Sequence, residues 1–113
     1  MPYLTVYTNV EIKDGAELAE KSSQVVAETL HKPVNYVVAN ILYNPMMAHG
    51  GSSQNKGALI ELKSIGLGDK DKLVSNLTSF FAKELDITNQ QYINISLIDC
   101  PAVYTAAAGK TFG

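Results

Sequence analysis

Apolar and polar residues take turns through residues 3–10, with Leu4 and Val6 on one side and Tyr3, Thr5 and Tyr7 on the other. A period of two built from β-branched and aromatic residues predicts a strand starting at the N-terminus. Asp14-Gly15 interrupts it, and Leu18, Ser22, Val25, Val26, Thr29 and Leu30 then recur at steps of three and four. That spacing lays an uncharged stripe along one side of a helix. The helix is expected to stop at Lys32-Pro33, because a proline pushes the residue before it out of the α region.

Residues 36–43 are almost continuously apolar, with Val37, Val38, Ala39, Ile41 and Leu42. Such a run predicts a strand covered on both faces. Residues 44–57, rich in Asn, Pro, Gly and Ser, form a turn-rich connection. The pattern then repeats: an apolar strand over 58–65, a turn at Gly66-Leu67-Gly68-Asp69, and a helix with Leu73, Val74, Leu77, Phe80, Phe81 and Leu85 on its buried stripe. A fourth strand is expected over 92–98. Strand, helix, strand, twice over, implies two βαβ units, and a helical crossover normally joins parallel strands of one sheet. With both helices on one face, the other face would meet water although its strands carry apolar residues at odd and even positions alike. A symmetric oligomer would cover it. Residues 101–113 carry no helical stripe and read as a short strand or extended arm reaching a neighbouring subunit.

The 113 residues suffice for one domain, spanning the whole chain, and not for two ordinary ones. Charged residues at 18% and a mean hydropathy of +0.01 describe a chain that folds compactly. Nine basic side chains, scattered within a net charge of −2, offer no face for a phosphate backbone, so nucleic acid is not an expected partner. No apolar run is long enough to cross a bilayer, and Met1-Pro2-Tyr3-Leu4 lacks the basic start and apolar segment of a secretion signal, so a cytoplasmic location is expected. Cys100 stands alone, which excludes an internal disulfide and a paired-cysteine redox motif and suits a reducing compartment.

Several short motifs occur in a fixed order: Met1-Pro2, Thr8-Asn9-Val10, Lys32-Pro33-Val34-Asn35-Tyr36, Met47-Ala48-His49-Gly50-Gly51-Ser52-Ser53, Lys63-Ser64-Ile65-Gly66 and Thr111-Phe112. Together, over essentially the whole chain, they resemble macrophage migration inhibitory factor and its relatives in the tautomerase superfamily. The resemblance implies an α+β fold of two βαβ units in a four-stranded mixed sheet with two helices on one face, assembled as a homotrimer with pockets between subunits. It also implies keto–enol interconversion of phenylpyruvate-like α-keto acids, without metal or cofactor.

Such a reaction needs a base for a carbon-bound proton and a means of stabilising the enolate. By the resemblance Pro2 is that base: once Met1 is removed, its ring nitrogen is a secondary amine, and a dry pocket with a nearby cation would bring its pKa toward neutrality. If Met1 stays, that nitrogen is an amide and cannot act. Lys32 matches the lysine that binds the substrate carboxylate; read without the resemblance, it is first of all a cation placed favourably at a helix C-terminus. Ile65 matches a position whose backbone lies along the pocket, and Tyr36 and Phe112 match aromatic walls. Aligned on Asp99, the tyrosine and asparagine that the family draws from the adjacent subunit fall at Asn94 and Ser96, and its tail tryptophan falls at Ala107. A pairing shifted by two residues matches Tyr92 and Asn94 instead. The paired cysteines of some relatives fall at Gly57 and Ile60, which leaves a thiol redox role unsupported.

These departures keep a second reading open, a non-enzymatic signalling or interaction protein with a degraded pocket. A third, dehalogenation or decarboxylation through the same proline, lacks an evident second base. Other motifs carry less. Gly66-Leu67-Gly68 lacks the third glycine of a nucleotide-binding turn, and His31 and His49 have no partners at metal-ligand spacing and read as surface or loop residues. Asp69 and Asp71 read as capping or flanking the second helix, and Asn76-Leu77-Thr78 and Asn94-Ile95-Ser96 are sequons only in form.

Overall fold

The computed structural model describes residues 1–113. Strand β1 (Tyr3–Thr8) leads through helix α1 (Gly15–Leu30) to β2 (Val38–Tyr43), and β3 (Ala58–Ser64) leads through α2 (Lys70–Glu84) to β4 (Ile93–Asp99). Each crossover joins a parallel pair, β1 with β2 and β3 with β4, while β1 and β3 run antiparallel in the middle. The result is the expected four-stranded mixed sheet, in the order β2-β1-β3-β4. Both helices pack on one face of it.

Alternation decides that face. Leu4, Val6 and Thr8 of β1 and Ala58, Ile60, Leu62 and Ser64 of β3 point inward and are essentially inaccessible. They meet Leu18 and Val26 of α1 and Leu73, Leu77 and Phe81 of α2. Two aspartates start the helices, Asp14 accepting from the Glu17 amide at 3.0 Å and Asp69 from the Lys72 amide at 3.1 Å. Each satisfies an amide that lacks an intrahelical partner. At the end of α1, His31 takes a left-handed conformation (φ 54°), and the Lys32 amide donates back to the Ala27 carbonyl at 3.0 Å. This closing turn ends the helix at Leu30, three residues before Pro33, and aims the chain back at the sheet.

Several boundaries differ from the sequence reading. Strand β1 stops at Thr8, not at residue 10, because the Thr8 hydroxyl accepts from the Val10 amide (3.1 Å) while donating to the Gly57 carbonyl (2.7 Å). Asn9 adds further ties, to the Met47 and Asn55 carbonyls and from the Gly57 amide, pinning the 44–57 connection. Strand β2 begins at Val38, since residues Val34–Tyr36 form a 3-10 turn behind Pro33. Tyr92 likewise closes a 3-10 turn, Gln90–Tyr92, before β4. The tail is more ordered than a simple arm: a 3-10 turn, Ala102–Tyr104, precedes a hairpin of β5 (Ala106–Ala107) and β6 (Lys110–Thr111). Ala108 and Gly109 turn it with positive φ at both positions (53° and 79°), which matches strand twist.

Strand β2 is not covered on both faces in the single chain. It is an edge strand, and its outward Val38 and Leu42 are exposed. The outward face of the sheet is graded by the register. One end row holds Val38, Tyr3, Lys63 and Ile98, the other Leu42, Tyr7, Leu59 and Asn94, and a wholly polar row of Asn40, Thr5, Glu61 and Ser96 lies between them. No helix is long and apolar enough to cross a membrane.

Phe81 is fully buried between helices and sheet. Phe81→Ala is expected to lower unfolding free energy by about 3–5 kcal/mol, measured by urea denaturation at fixed protein concentration. A loss below about 1 kcal/mol would contradict its place in the core.

Candidate active site

The antiparallel pairing of β1 with β3 sets Tyr3 opposite Lys63, so one step further out Pro2 faces Ser64. Pro2 is fully buried, and its carbonyl accepts from the Val38 amide at 3.0 Å, fixing the start of the chain to β2 as well. Helix α1 runs back along the sheet and releases Lys32 at this same end. The Lys32 ammonium donates to the Ile65 carbonyl at 2.6 Å and to the Ser64 hydroxyl at 2.9 Å. Pro2, Lys32 and Ile65, which lie far apart in sequence, are thereby brought together, with Ser64 among them.

The charge at this end has a measurable consequence. With Met1 in place the free amine is that of Met1 and the Pro2 nitrogen is an amide. That amine is held below the ordinary α-amino range, first by partial loss of water and second by repulsion from Lys32, with Cys100 acting weakly in the opposite sense. Neither acceptor on Lys32 carries a formal charge, and no carboxylate pairs with it. Its charge is therefore not neutralised by a direct ion pair.

A model of the family described as macrophage migration inhibitory factor (MIF) matches residues 1–113. The chain belongs to the MIF family. A MIF homolog of Brugia malayi is 36% identical over 118 aligned positions that span all of both chains. The solved structure of a MIF homologue from Prochlorococcus marinus is 29% identical, with a TM-score of 0.87 over 98% of this chain and 99% of that one. The MIF of Trichinella spiralis, 24% identical, shares the fold with a TM-score of 0.88 over 97% and 99% of the two chains. The family is known for tautomerase activity, and its members typically form oligomers and bind small ligands.

In this MIF-family chain the remaining expected pocket residues divide into two groups. Tyr36 stands two residues before Val38, the partner of the Pro2 carbonyl, and is about half exposed. Phe112 sits in the tail, its amide donating to the Thr105 carbonyl at 2.9 Å, and is also exposed. The tail returns toward β1, where the Tyr3 hydroxyl lies 3.5 Å from the Ala106 carbonyl. Neither ring is buried in the single chain. Asn94 and Ser96 are elsewhere: they pair with Leu59 and Glu61, and Asn94 is five positions from Asp99, about 17 Å along the strand at the usual rise. Within one chain they do not meet Pro2. Strand β4 pairs with β3 in unbroken register from Ile93 to Asp99.

The four main clefts of the single chain, of about 380–460 Å3, do not include Pro2. The 460 Å3 cleft lies at the opposite end, by Ile12, Glu17 and Glu84, where opposed charges pair with one another. His49 lies in the loop that joins β2 to β3, but it is buried there and not at the surface. It is buried against Gly57, where any Cβ would approach its ring to 2.6 Å, and its Nε2 has no hydrogen-bond partner. Ser64 was not singled out from sequence, although a polar residue closing the inward series Ala58, Ile60, Leu62 was the available signal.

Removing the Lys32 charge relieves the penalty on the protonated N-terminus. In protein retaining Met1, Lys32→Ala is expected to raise the α-amine pKa, read from the pH dependence of its NMR shift or of its acylation rate. An unchanged or lowered value would show that Lys32 does not act on the N-terminus.

Proposed function

We propose that this protein, once Met1 is removed, is a keto–enol tautomerase of phenylpyruvate-like α-keto acids with Pro2 as general base. The observation that carries the reading is the Lys32 ammonium tethered at the end of the sheet that holds the chain terminus, whose amine is lowered by loss of water and by repulsion from Lys32. Removal of Met1 transfers the free amine to Pro2, which is more deeply buried than Met1, so loss of water acts on it more strongly, at the same end of the sheet as Lys32. The neutral ring nitrogen takes a proton from the carbon next to the ketone. The C–H electron pair becomes the enolate double bond, the carbonyl oxygen gathers the negative charge and takes a proton from water, and the prolinium returns its proton to water. Lys32 holds the substrate carboxylate, the Ile65 backbone lies along the pocket, and Tyr36 and Phe112 flank the aromatic ring. No cofactor takes part.

The reading includes a homotrimer. The pocket has no far wall in the single chain, and Asn94 and Ser96, too distant from their own Pro2, are assigned to the site of the adjoining subunit. The two edge strands and the exposed Val38, Leu42 and Leu59 supply surface for that assembly. The place of action we assign is the cytoplasm, which suits the single thiol. A non-enzymatic interaction protein of the same fold is the second reading, favoured by the small polar side chains at Asn94 and Ser96.

With the N-terminal mass verified, Pro2→Gly is expected to lower kcat/KM for phenylpyruvate by about 100-fold or more, the usual yield of a positioned base. Full activity in that variant removes Pro2 from the mechanism, and an inactive Met-free parent selects the second reading. In the parent, kcat/KM should rise with pH through a limb centred below the ordinary α-amino value of about 8, because only the neutral amine accepts a proton. Light scattering should give three times the 12.2 kDa chain mass; active lone subunits would remove the shared pocket.

A further inference from the structure

We infer that Ser64 is a positioning residue for substrate binding: its buried hydroxyl fixes the direction in which Lys32 presents its one remaining N–H to a carboxylate. The inference rests on the proposed role of Lys32 and deepens it. An ammonium has three donors and no acceptor. Two are spent inside the protein, one on the Ile65 carbonyl and one on the Ser64 hydroxyl. Two fixed bonds on a tetrahedral nitrogen leave a single direction for the third. With the Ile65 bond alone, the head would still turn about that axis, and the long, flexible stem would sample several rotamers.

Ser64 is suited to this task by where it stands. It is the last residue of β3, fully buried, and its carbonyl accepts from the Cys100 amide at 2.8 Å, so its backbone is held from the tail side. It occupies an inward position whose predecessors Ala58, Ile60 and Leu62 are all apolar. A hydroxyl placed in such a series costs desolvation unless it is bonded, and Lys32 is the partner that satisfies it. The oxygen accepts from Lys32, so its own proton is not needed to hold the ammonium. Alanine would keep the packing and remove the tether; threonine would keep the tether.

The test compares parent, Ser64→Ala, Ser64→Thr, Lys32→Ala and the Ser64→Ala/Lys32→Ala pair, all with Pro2 at the N-terminus. Each is assayed with phenylpyruvate and with its methyl ester, and Kd for phenylpyruvate is measured by calorimetry. Ser64→Ala is expected to raise Kd and KM for the acid about five- to tenfold, the range for losing a bond that orients a charged group, with kcat changed less than about twofold. The ester, lacking the charge, should show no such rise. Ser64→Thr should restore the parent values, and Ser64→Ala should add nothing in the Lys32→Ala background. Equal losses on acid and ester, or additive effects in the pair, would mean that Ser64 acts only through general structure. If Lys32→Ala weakens phenylpyruvate binding and Ser64→Ala does not, the Ser64 assignment alone falls. If Lys32→Ala leaves binding unmoved, the carboxylate-holding role of Lys32 falls and takes this inference with it. Kd keeps the test decisive even for a parent without turnover.

Discussion

The antiparallel contact between β1 and β3 is the constraint on which the rest of the molecule depends. Each βαβ unit can supply only a parallel pair, with its strand starts at one end and its helix returning between them. Joining two such units head to tail at the centre of the sheet puts the first residue of one beside the last residue of the other. Pro2 therefore faces Ser64, and α1, returning from the far end of β1, delivers Lys32 to the same place. Three segments from distant parts of the sequence converge through sheet register and helix direction. Long flexible loops play no part, and a site held in this way starts rigid.

The choice of partners for Lys32 follows from what the site must do with its charge. A carboxylate neighbour would hold the ammonium more tightly, yet it would also cancel the field felt by the N-terminus. A carbonyl and a hydroxyl fix the ammonium while leaving its charge whole, so that its repulsion adds to the loss of water that first lowers the N-terminal amine. Exposure has to be balanced in the same way. Pro2 is buried, whereas Lys32 is only partly so and keeps access to solvent and to an anionic ligand.

Much of the fold was legible because periodicity reports burial. The inward residues of β1 and β3 and the helix stripes through Leu18, Val26, Leu73, Leu77 and Phe81 stand where alternation and three-four spacing put them. What failed was local. The ends of β1 and β2 depend on Thr8 binding Gly57 and on the turn behind Pro33, which are contacts that propensity does not encode. His49 looked like a loop residue, but the loop carrying it folds down over Gly57 and buries it. In the site, the order of motifs singled out Pro2, Lys32 and Ile65 because each stands inside a recognisable local pattern. Ser64 stands in the same motif as Ile65 but drew no role, because a serine in a strand is unremarked until its neighbours are known to face the core. The distance separating Asn94 and Ser96 from their own Pro2 became visible only through the β3–β4 register.

The polar row across the uncovered face limits what can be built on it. Glu61 sits near its middle, between Thr5 and Ser96, and no basic group forms an ion pair with it. Sealing that carboxylate in a dry joint would cost several kcal/mol of lost hydration. Any surface laid over this face would have to leave Glu61 in contact with water or offer it a cation, and Lys63, two positions along the same face of β3, is the basic side chain the strand itself supplies.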